Sequence, residues 1–310
     1  GPADAPVTIV AYSDFTCPYC QQAAGTMEKV LKENQGKIKY VFKHFPLETT
    51  GAARLAAEYH VAAARQDPEL AWKFYDLLFA RRADVLKDGE PAIVNAAKDA
   101  GIPVILIDQS AETIDQSYYV SLISADYLKE GQICAGLLAD KFADQPCSIV
   151  EIYGTESSPG AQARSKGFHQ ALMQYPNMEI IDMEYGNFDR VTAQKAMENA
   201  LIKAANRGQT IDAVFAHSDE DGLGALQAIK VAGLPPGKIS IVSINGIQDV
   251  CKAIIAGEYL GTVESNPRWG FIAAFLIQQM ERDCKPFPMV MIPYQIITAE
   301  NAAEYALTAY

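Results

Sequence analysis

Cys17 and Cys20 enclose only Pro18 and Tyr19. Two thiols at this spacing can close a disulfide across one helical turn and reopen it, cycling between dithiol and disulfide. The pair stands between a strand-like run, Val7 to Tyr12 (VTIVAY), and a run with apolar residues at helical spacing, Gln21 to Asn34. Cys17 therefore falls at a helix start, where unpaired amide N–H groups and the positive end of the helix dipole favour a thiolate. A lowered thiol pKa makes Cys17 the better nucleophile and leaving group. Two other readings of such a pair remain open. Half of a zinc site needs a second CxxC or a His pair, and Cys134, Cys147, Cys251 and Cys284 stand singly. An inert structural disulfide needs nothing more than the pair itself. The pairing of the other four cysteines is not fixed by the sequence.

No other residues carry so local a signal. His44, His60, His169 and His217 show no metal spacing and are expected as surface or capping residues. Ser157-Ser158-Pro159-Gly160 reads as a loop before a helix, since a nucleophile elbow needs Gly-x-Ser-x-Gly.

The elements that would position these groups change character along the chain. The first strand, the helix after the dithiol and a second strand, Ile38 to Phe42, make a β-α-β unit that favours parallel pairing. Two helical stretches follow, Gly51 to Arg65 and Pro68 to Arg82. Lys87-Asp88-Gly89-Glu90-Pro91 is the strongest boundary signal in the first half. From Ala92 onward helices and strands alternate regularly. The expected strands are Val104 to Ile107, Ser148 to Tyr153, Glu179 to Glu184, Ala213 to His217, Ile239 to Ile244 and Leu260 to Glu264. The helices are Ala92 to Ala100, Tyr127 to Phe142, Ala161 to Tyr175, Val191 to Asn206, Gly222 to Ala232, Asp249 to Gly257 and Trp269 to Arg282. Such alternation predicts an open, mostly parallel α/β sheet covered on both faces.

Length and composition set bounds. The 310 residues are enough for about two domains, since one core rarely grows past ~250–300. Lys and Arg total 26 against 38 Asp and Glu, a net charge of −12. That balance argues against a nucleic-acid binder, which needs clustered positive charge. No apolar run reaches the ~18 residues of a membrane span. The longest, Trp269 to Met280, is interrupted by Gly270 and Gln278. No metal or cofactor is implied.

GPADAPVTIVAYSDFTCPYC, VFKHFPLE and AWKFYDLLFARRADVLKDGE resemble DsbA-type thiol-disulfide oxidoreductases of the thioredoxin superfamily, over residues 1–90. The resemblance makes Cys17 the attacking and Cys20 the resolving cysteine, with a disulfide-bearing protein as partner. It also asks for a cis-proline facing the dithiol, and Pro103 in GIPVILID is the residue available. The further strands of that family do not follow Glu90.

Residues 91–310 resemble a second family. AKDAGIPVILIDQ, VEIYGTESSPGAQARSKGFHQAL, GNFDR, VFAHSDEDGLGALQAIKVAGL, ISIVSINGIQDV and IITAEN look like type 1 periplasmic sugar-binding proteins, of the galactofuranose- and ribose-binding branch of ABC-transporter receptors. LacI-type repressors share that fold, but the acidic charge and the missing helix-turn-helix speak against one. The opening units of the first lobe are absent before Ala92. The implied architecture is a thioredoxin-like β-α-β segment joined to a two-lobed, doubly wound receptor fold, as in a fusion. One way to join them is for the strands Val7 to Tyr12 and Ile38 to Phe42 to complete the sheet begun by Val104 to Ile107.

The second resemblance also implies a ligand set. Asp108 would accept hydrogen bonds from a sugar hydroxyl, with Gln109 where Arg is frequent. Gln162 stands where the ribose branch has Arg, Phe188 would stack on the sugar, and Arg190 would make a polar contact. Ser218 replaces a usual Asn and is followed by Asp219, which has the alternative of capping a helix. Asn245 replaces a usual Asp, and Glu264 or Ser265 falls at the last hinge contact. Phe15 or Tyr19 would have to supply the aromatic contact of the missing first loop. The implied partners are a small sugar and an ABC-transporter permease, and the implied location is periplasmic or secreted, without membrane insertion. Thiol-disulfide exchange combined with the receptor fold is the expected function. Solute binding with a passive disulfide is the alternative.

Overall fold

The computed structural model describes residues 1–47, 51–107, 115–235, 237–282 and 284–310. Asp108 and Gln109 lie outside the described residues. In chain order the strands are β1 (Val7–Ser13), β2 (Ile38–His44), β3 (Ile105–Ile107), β4 (Ser121–Ser124), β5 (Cys147–Tyr153), β6 (Met178–Tyr185), β7 (Ala213–Ala216), β8 (Ser240–Asn245), β9 (Gly261–Glu264), β10 (Met289–Met291) and β11 (Ile296–Thr298). The helices are α1 (Pro18–Glu33), α2 (Gly51–Gln66), α3 (Pro68–Ala80), α4 (Arg82–Asp88), α5 (Glu90–Ala100), α6 (Tyr127–Phe142), α7 (Pro159–Leu172), α8 (Arg190–Arg207), α9 (Asp219–Val231), α10 (Gln248–Ile255), α11 (Gly270–Glu281) and α12 (Ala302–Tyr305). No helix among the described residues is long and apolar enough to cross a membrane.

Among the described residues the strands form three sheets, ordered β1-β2, β10-β4-β3 and β11-β9-β8-β7-β5-β6. β1 and β2 pair in parallel, Val7 against Ile38 through Ser13 against His44. They do not extend the sheet of β3, which corrects the arrangement expected from sequence. The reason lies in the strand that β3 does pair with, β4. The Val120 amide donates to the Val104 carbonyl at 2.8 Å and the Leu122 amide to the Pro288 carbonyl at 3.0 Å. β3 is thus paired by β4, and β4 in turn by β10, short strands that show no propensity run in the sequence.

The chain divides into two compact units. The first comprises Gly1–Leu106, a segment ending at Leu122, and Lys285–Pro288. Its core is helical. Phe74, Leu78 and Phe79 of α3 pack with Ala56 of α2, Ile93, Val94 and Ala96 of α5, and Phe15. Phe15 is 1% exposed, with its ring 4.9 Å from Phe79 and 5.3 Å from Phe42, so it is a core residue; Tyr19 is 77% exposed.

His60 belongs to this core as well, against the expectation of a surface residue. Its Nδ1 lies 3.1 Å from His44 Nε2, and its Nε2 is buried without a hydrogen-bond partner. Burial, with His44 adding to it, pushes the His60 imidazole down to about 4. Burial lowers His44 too. The unfolded chain binds this proton below about pH 6.5, while the folded unit refuses it until about pH 4. Stability is therefore full above pH 6.5 and declines by about 3 kcal/mol as the pH falls across that window. Thermal unfolding of the first unit between pH 7 and 4 is expected to show this slope, and His60→Gln to flatten it.

The second unit consists chiefly of Ile123–Cys284 and Met289–Tyr310. Its six-stranded sheet follows from the period-2 alternation of strands buried on both faces. Val150, Ile152, Val214, Ala216 and Ile241 face one core with α8, α9 and α10. Ile149, Ala213, Phe215, Val242, Ile244 and Val263 face the other with α6, where Phe168 stacks on Phe215 at 4.0 Å. β6, β5, β7, β8 and β9 run parallel, and β11 closes the edge antiparallel to β9. The chain leaves β5 for β6 on one side and returns to β7 on the other. That reversal creates a switch point at the carboxyl ends of the strands, where open α/β sheets bind ligands.

Candidate functional site

Loops at those carboxyl ends build a pocket of about 440 Å³. Ser158, Pro159 and Gly160 come from after β5, Phe188 from after β6, Ser218 from after β7, Asn245 from the end of β8, and Ser265, Pro267 and Trp269 from after β9. Arg164 of α7, Tyr127 of α6, Glu220 of α9 and Tyr310 complete the wall. Aromatic faces and small hydroxyls mix here, the composition that holds polyhydroxylated ligands.

Local chemistry fixes several of these groups. Ser158 caps α7, its Oγ accepting the Ala161 amide at 3.3 Å. Phe188 follows Asn187 with both φ near +58°, a left-handed turn that aims the ring over Gly154. Any Cβ at Gly154 would collide with that ring. Trp269 is 6% exposed, and its indole N–H has no hydrogen-bond partner among the described residues. The Tyr310 hydroxyl donates toward the carbonyls of Asn245 at 3.0 Å and Ser265 at 2.9 Å, tying the ends of β8 and β9 together.

Arg164 is the pocket's buried cation, 7% exposed. Its Nε donates to Glu130 Oε2 at 2.9 Å, Nη1 to the His217 carbonyl at 2.9 Å and Nη2 to Ser265 Oγ at 3.3 Å. The guanidinium also lies 5.2 Å from the Tyr127 ring centre. Gly131 of α6 and Gly167 of α7 let the two helix backbones touch, since a Cβ at either would collide with the other helix's main chain. Sequence reasoning missed Arg164. The only signal was a lone arginine in QARSKGF, two residues past the position weighed, and its partner Glu130 is 34 residues away.

Asp219 sits beneath the pocket rather than in its wall. Its carboxylate accepts from Ser243 Oγ at 2.5 Å, Thr262 Oγ1 at 2.7 Å and the amides of Gly246 and Ile247 at 2.7 Å each. Burial pushes its carboxyl up, and these four donors work against that. The helix cap expected of Asp219 is instead Ser218, whose Oγ accepts the Asp221 amide. A second buried network lies behind. Glu151 receives His169 Nε2 at 2.7 Å and His217 Nε2 at 2.9 Å. Burial alone would raise Glu151, but the two histidines bring it down to about 2. His217 is fully buried, not a surface residue, and burial lowers it; His169 is raised by its bond to Glu151.

Of the residues singled out from sequence, Phe188, Ser218, Asn245 and Ser265 line the pocket together. Gln162 is exposed and donates to the Glu156 carbonyl at 2.9 Å. Arg190 opens α8 and pairs with Glu220 at 2.7 Å and Asp249 at 3.5 Å. Glu264 is buried and accepts from Asn266 Nδ2 at 3.0 Å.

In the first unit Cys17 is the N-cap of α1, with Pro18 in the first turn. The Cys20 amide, the Cys20 thiol and the Tyr19 amide lower the Cys17 thiol against the opposing effect of burial and Asp14. Cys20 Sγ accepts the Asp14 amide at 3.4 Å. Both sulfurs are free thiols, as are Cys134, Cys147, Cys251 and Cys284. Pro103 does not provide the cis peptide that the thioredoxin resemblance asks for, since the described residues contain none. No group of three His, Cys, Asp or Glu among the described residues is placed to hold a metal ion.

A family model described as a periplasmic binding protein domain matches residues 9–282. The galactofuranose-binding protein YtfQ of Escherichia coli K12 is 39% identical over 202 residues, 65% of this chain and 63% of that protein. The chain spans 60% and 53% of the length of two further curated relatives. A crystal structure of a galactofuranose binding protein superposes with a TM-score of 0.67 at 28% identity, over 98% of both chains. The periplasmic component of the arabinose ABC transporter from Shewanella sp. ANA-3, solved with α- and β-L-arabinofuranose, gives 0.67 at 26% identity, over 97% of this chain and 95% of that one. The family match and the two superpositions take in the residues before position 90 as well as those after it. They back a two-lobed receptor fold and lend no support to a thioredoxin-type segment or a fusion.

Proposed function

The chain belongs to the periplasmic binding protein domain family, and on that premise we propose that it is a periplasmic solute receptor whose second unit holds a sugar and delivers it to an ABC-transporter permease. One observation carries the reading. The pocket at the strand ends sets Phe188 and Trp269 beside Ser158, Ser218, Asn245, Ser265 and the buried Arg164. Aromatic faces cover the C–H surface of a sugar while hydroxyl, amide and guanidinium groups meet its hydroxyls. The unpartnered Trp269 N–H adds a donor whose burial is costly until something accepts from it. The names of the relatives, which bind galactofuranose and arabinofuranose, support furanose sugars as the class. Isothermal titration against L-arabinose, D-galactose, D-ribose and xylitol is expected to give saturable binding with at least one, weakened by Trp269→Ala. Absence of heat with all four would count against the reading.

A second reading attaches to the first unit, because Cys17 caps α1 with a lowered thiol pKa. Its thiolate would attack a partner's disulfide, breaking that S–S bond and forming a mixed disulfide. Cys20 would then displace the partner's second sulfur, leaving a Cys17–Cys20 disulfide and a partner dithiol reduced by two electrons. Insulin reduction in dithiothreitol should be accelerated by the protein and not by Cys17→Ser. Equal rates would leave the pair passive.

A further inference from the structure

We propose that Asp221 sets the specificity of the pocket, its protonation state deciding whether Ser218 offers the bound sugar a hydrogen-bond donor or an acceptor. The proposal rests on the sugar-binding reading of this pocket. Ser218 lines the pocket, and its hydroxyl is held from behind. Its Oγ accepts the Asp221 amide at 3.1 Å and donates its only proton to Asp221 Oδ2 at 2.8 Å. While Asp221 is an anion, that proton is committed inward and Ser218 has only a lone pair left for an occupant. Once Asp221 takes a proton from solvent, the new O–H can donate to Ser218 Oγ instead. The Ser218 proton is then free for the sugar.

The surroundings make both states accessible. Asp221 is wholly buried, and its Oδ1 makes no hydrogen bond of ordinary length and angle. A methyl group at Gly186 would collide with that oxygen, and the same backbone position packs on Ile152 of β5 and Ala193 of α8, neither of which titrates. Among the described residues, the charged and titratable groups coupled to it are Arg164 from α7, which favours the anion, and the buried Tyr259 phenol, raised by burial first, then by Asp219 and less by Asp221. The Ser218 hydroxyl and the nearby Phe188 and Ser218 amides also favour the anion, but burial outweighs all of these and pushes the carboxyl up to about 7. A sugar oxygen that accepts the freed Ser218 proton favours the protonated form of Asp221. Binding is therefore expected to take up a proton near pH 7, and affinity to rise as the pH falls through that value.

Two measurements test this with L-arabinose and D-galactose as probes. Infrared titration of the ligand-free protein should show a carboxylic-acid band that titrates near pH 7 and is missing from Asp221→Asn. Calorimetry in buffers of different ionisation heat should show proton uptake, with the dissociation constant about tenfold weaker at pH 8 than at pH 6, the factor that one unit of pKa change on binding produces. Asp221→Asn, whose amide can donate to Ser218 permanently, should bind with the low-pH affinity throughout. Ser218→Ala keeps the infrared band and loses the pH dependence, which covers the case where the Asn variant does not fold. A carboxyl that stays ionised across the range overturns the proposal, as does sugar binding without proton exchange. If the band titrates but neither sugar binds at any pH, the sugar reading falls and takes the linkage with it.

Discussion

Asp219→Asn is expected to destabilise the second unit by about 4 kcal/mol. One carboxylate oxygen accepts the amides of both Gly246 and Ile247, and the other accepts two hydroxyls. An amide side chain keeps the size but presents an acceptor to only one of these pairs. The other pair then faces an N–H group. If the amide nitrogen faces the backbone, two buried N–H groups lose their acceptor, each at about 1–3 kcal/mol. If it faces Ser243 and Thr262, the hydroxyls must turn while the bonds to a charged acceptor are lost. Asp219 bridges the start of α9, the turn after β8 and strand β9, so the defect spreads over three elements. Urea unfolding followed by signals from the second unit should show the lower midpoint. A change below 1 kcal/mol would mean that the carboxylate is not the clamp its contacts imply.

Arg164→Met is expected to cost about 3–5 kcal/mol and to abolish sugar binding. The stability loss comes from Glu130, which is 1% exposed and would keep a buried charge without its partner. The affinity loss comes from the pocket, which loses its guanidinium and the tie to Ser265. The double variant Arg164→Met with Glu130→Leu separates the two effects. Replacing a whole buried ion pair by apolar groups is often neutral for stability. The double variant should therefore unfold near the wild-type midpoint while still failing to bind. Binding restored along with stability would show that Arg164 serves the fold alone.

Much of the second unit was legible in advance because its signals are local. The α6 span matches the helix read from apolar spacing, and β5 through β9 lie within a residue or two of the strands read from Val, Ile and Thr runs. The alternation Ala213, Val214, Phe215, Ala216 needs only the strand period to be assigned to two faces. What stayed hidden depends on partners far off in sequence. β4 is four residues, β10 and β11 three each, and their pairing is not encoded in any single window. The burial of His60 and His217 follows from Phe15, Phe42 and Glu151, none of which is a sequence neighbour. Arg164 and Asp221 could not be recognised for the same reason. An arginine in a helix reads as solvated until Glu130 is placed against it, and an aspartate in DED reads as a helix-start charge until Gly186 seals it in. The CPYC pair drew attention because its chemistry is written in four consecutive residues. Local visibility favoured it over a pocket assembled from the ends of five strands.

The close approach of α6 and α7 at Gly131 and Gly167 has a consequence for how this pocket could drift under mutation. Changing either glycine to alanine needs one methyl group, yet it would wedge α6 from α7 and move Glu130 and Arg164 together. Neither glycine lines the cavity. New ligand preferences could therefore be acquired, and old ones forfeited, through inconspicuous changes at a helix crossing that touches no ligand.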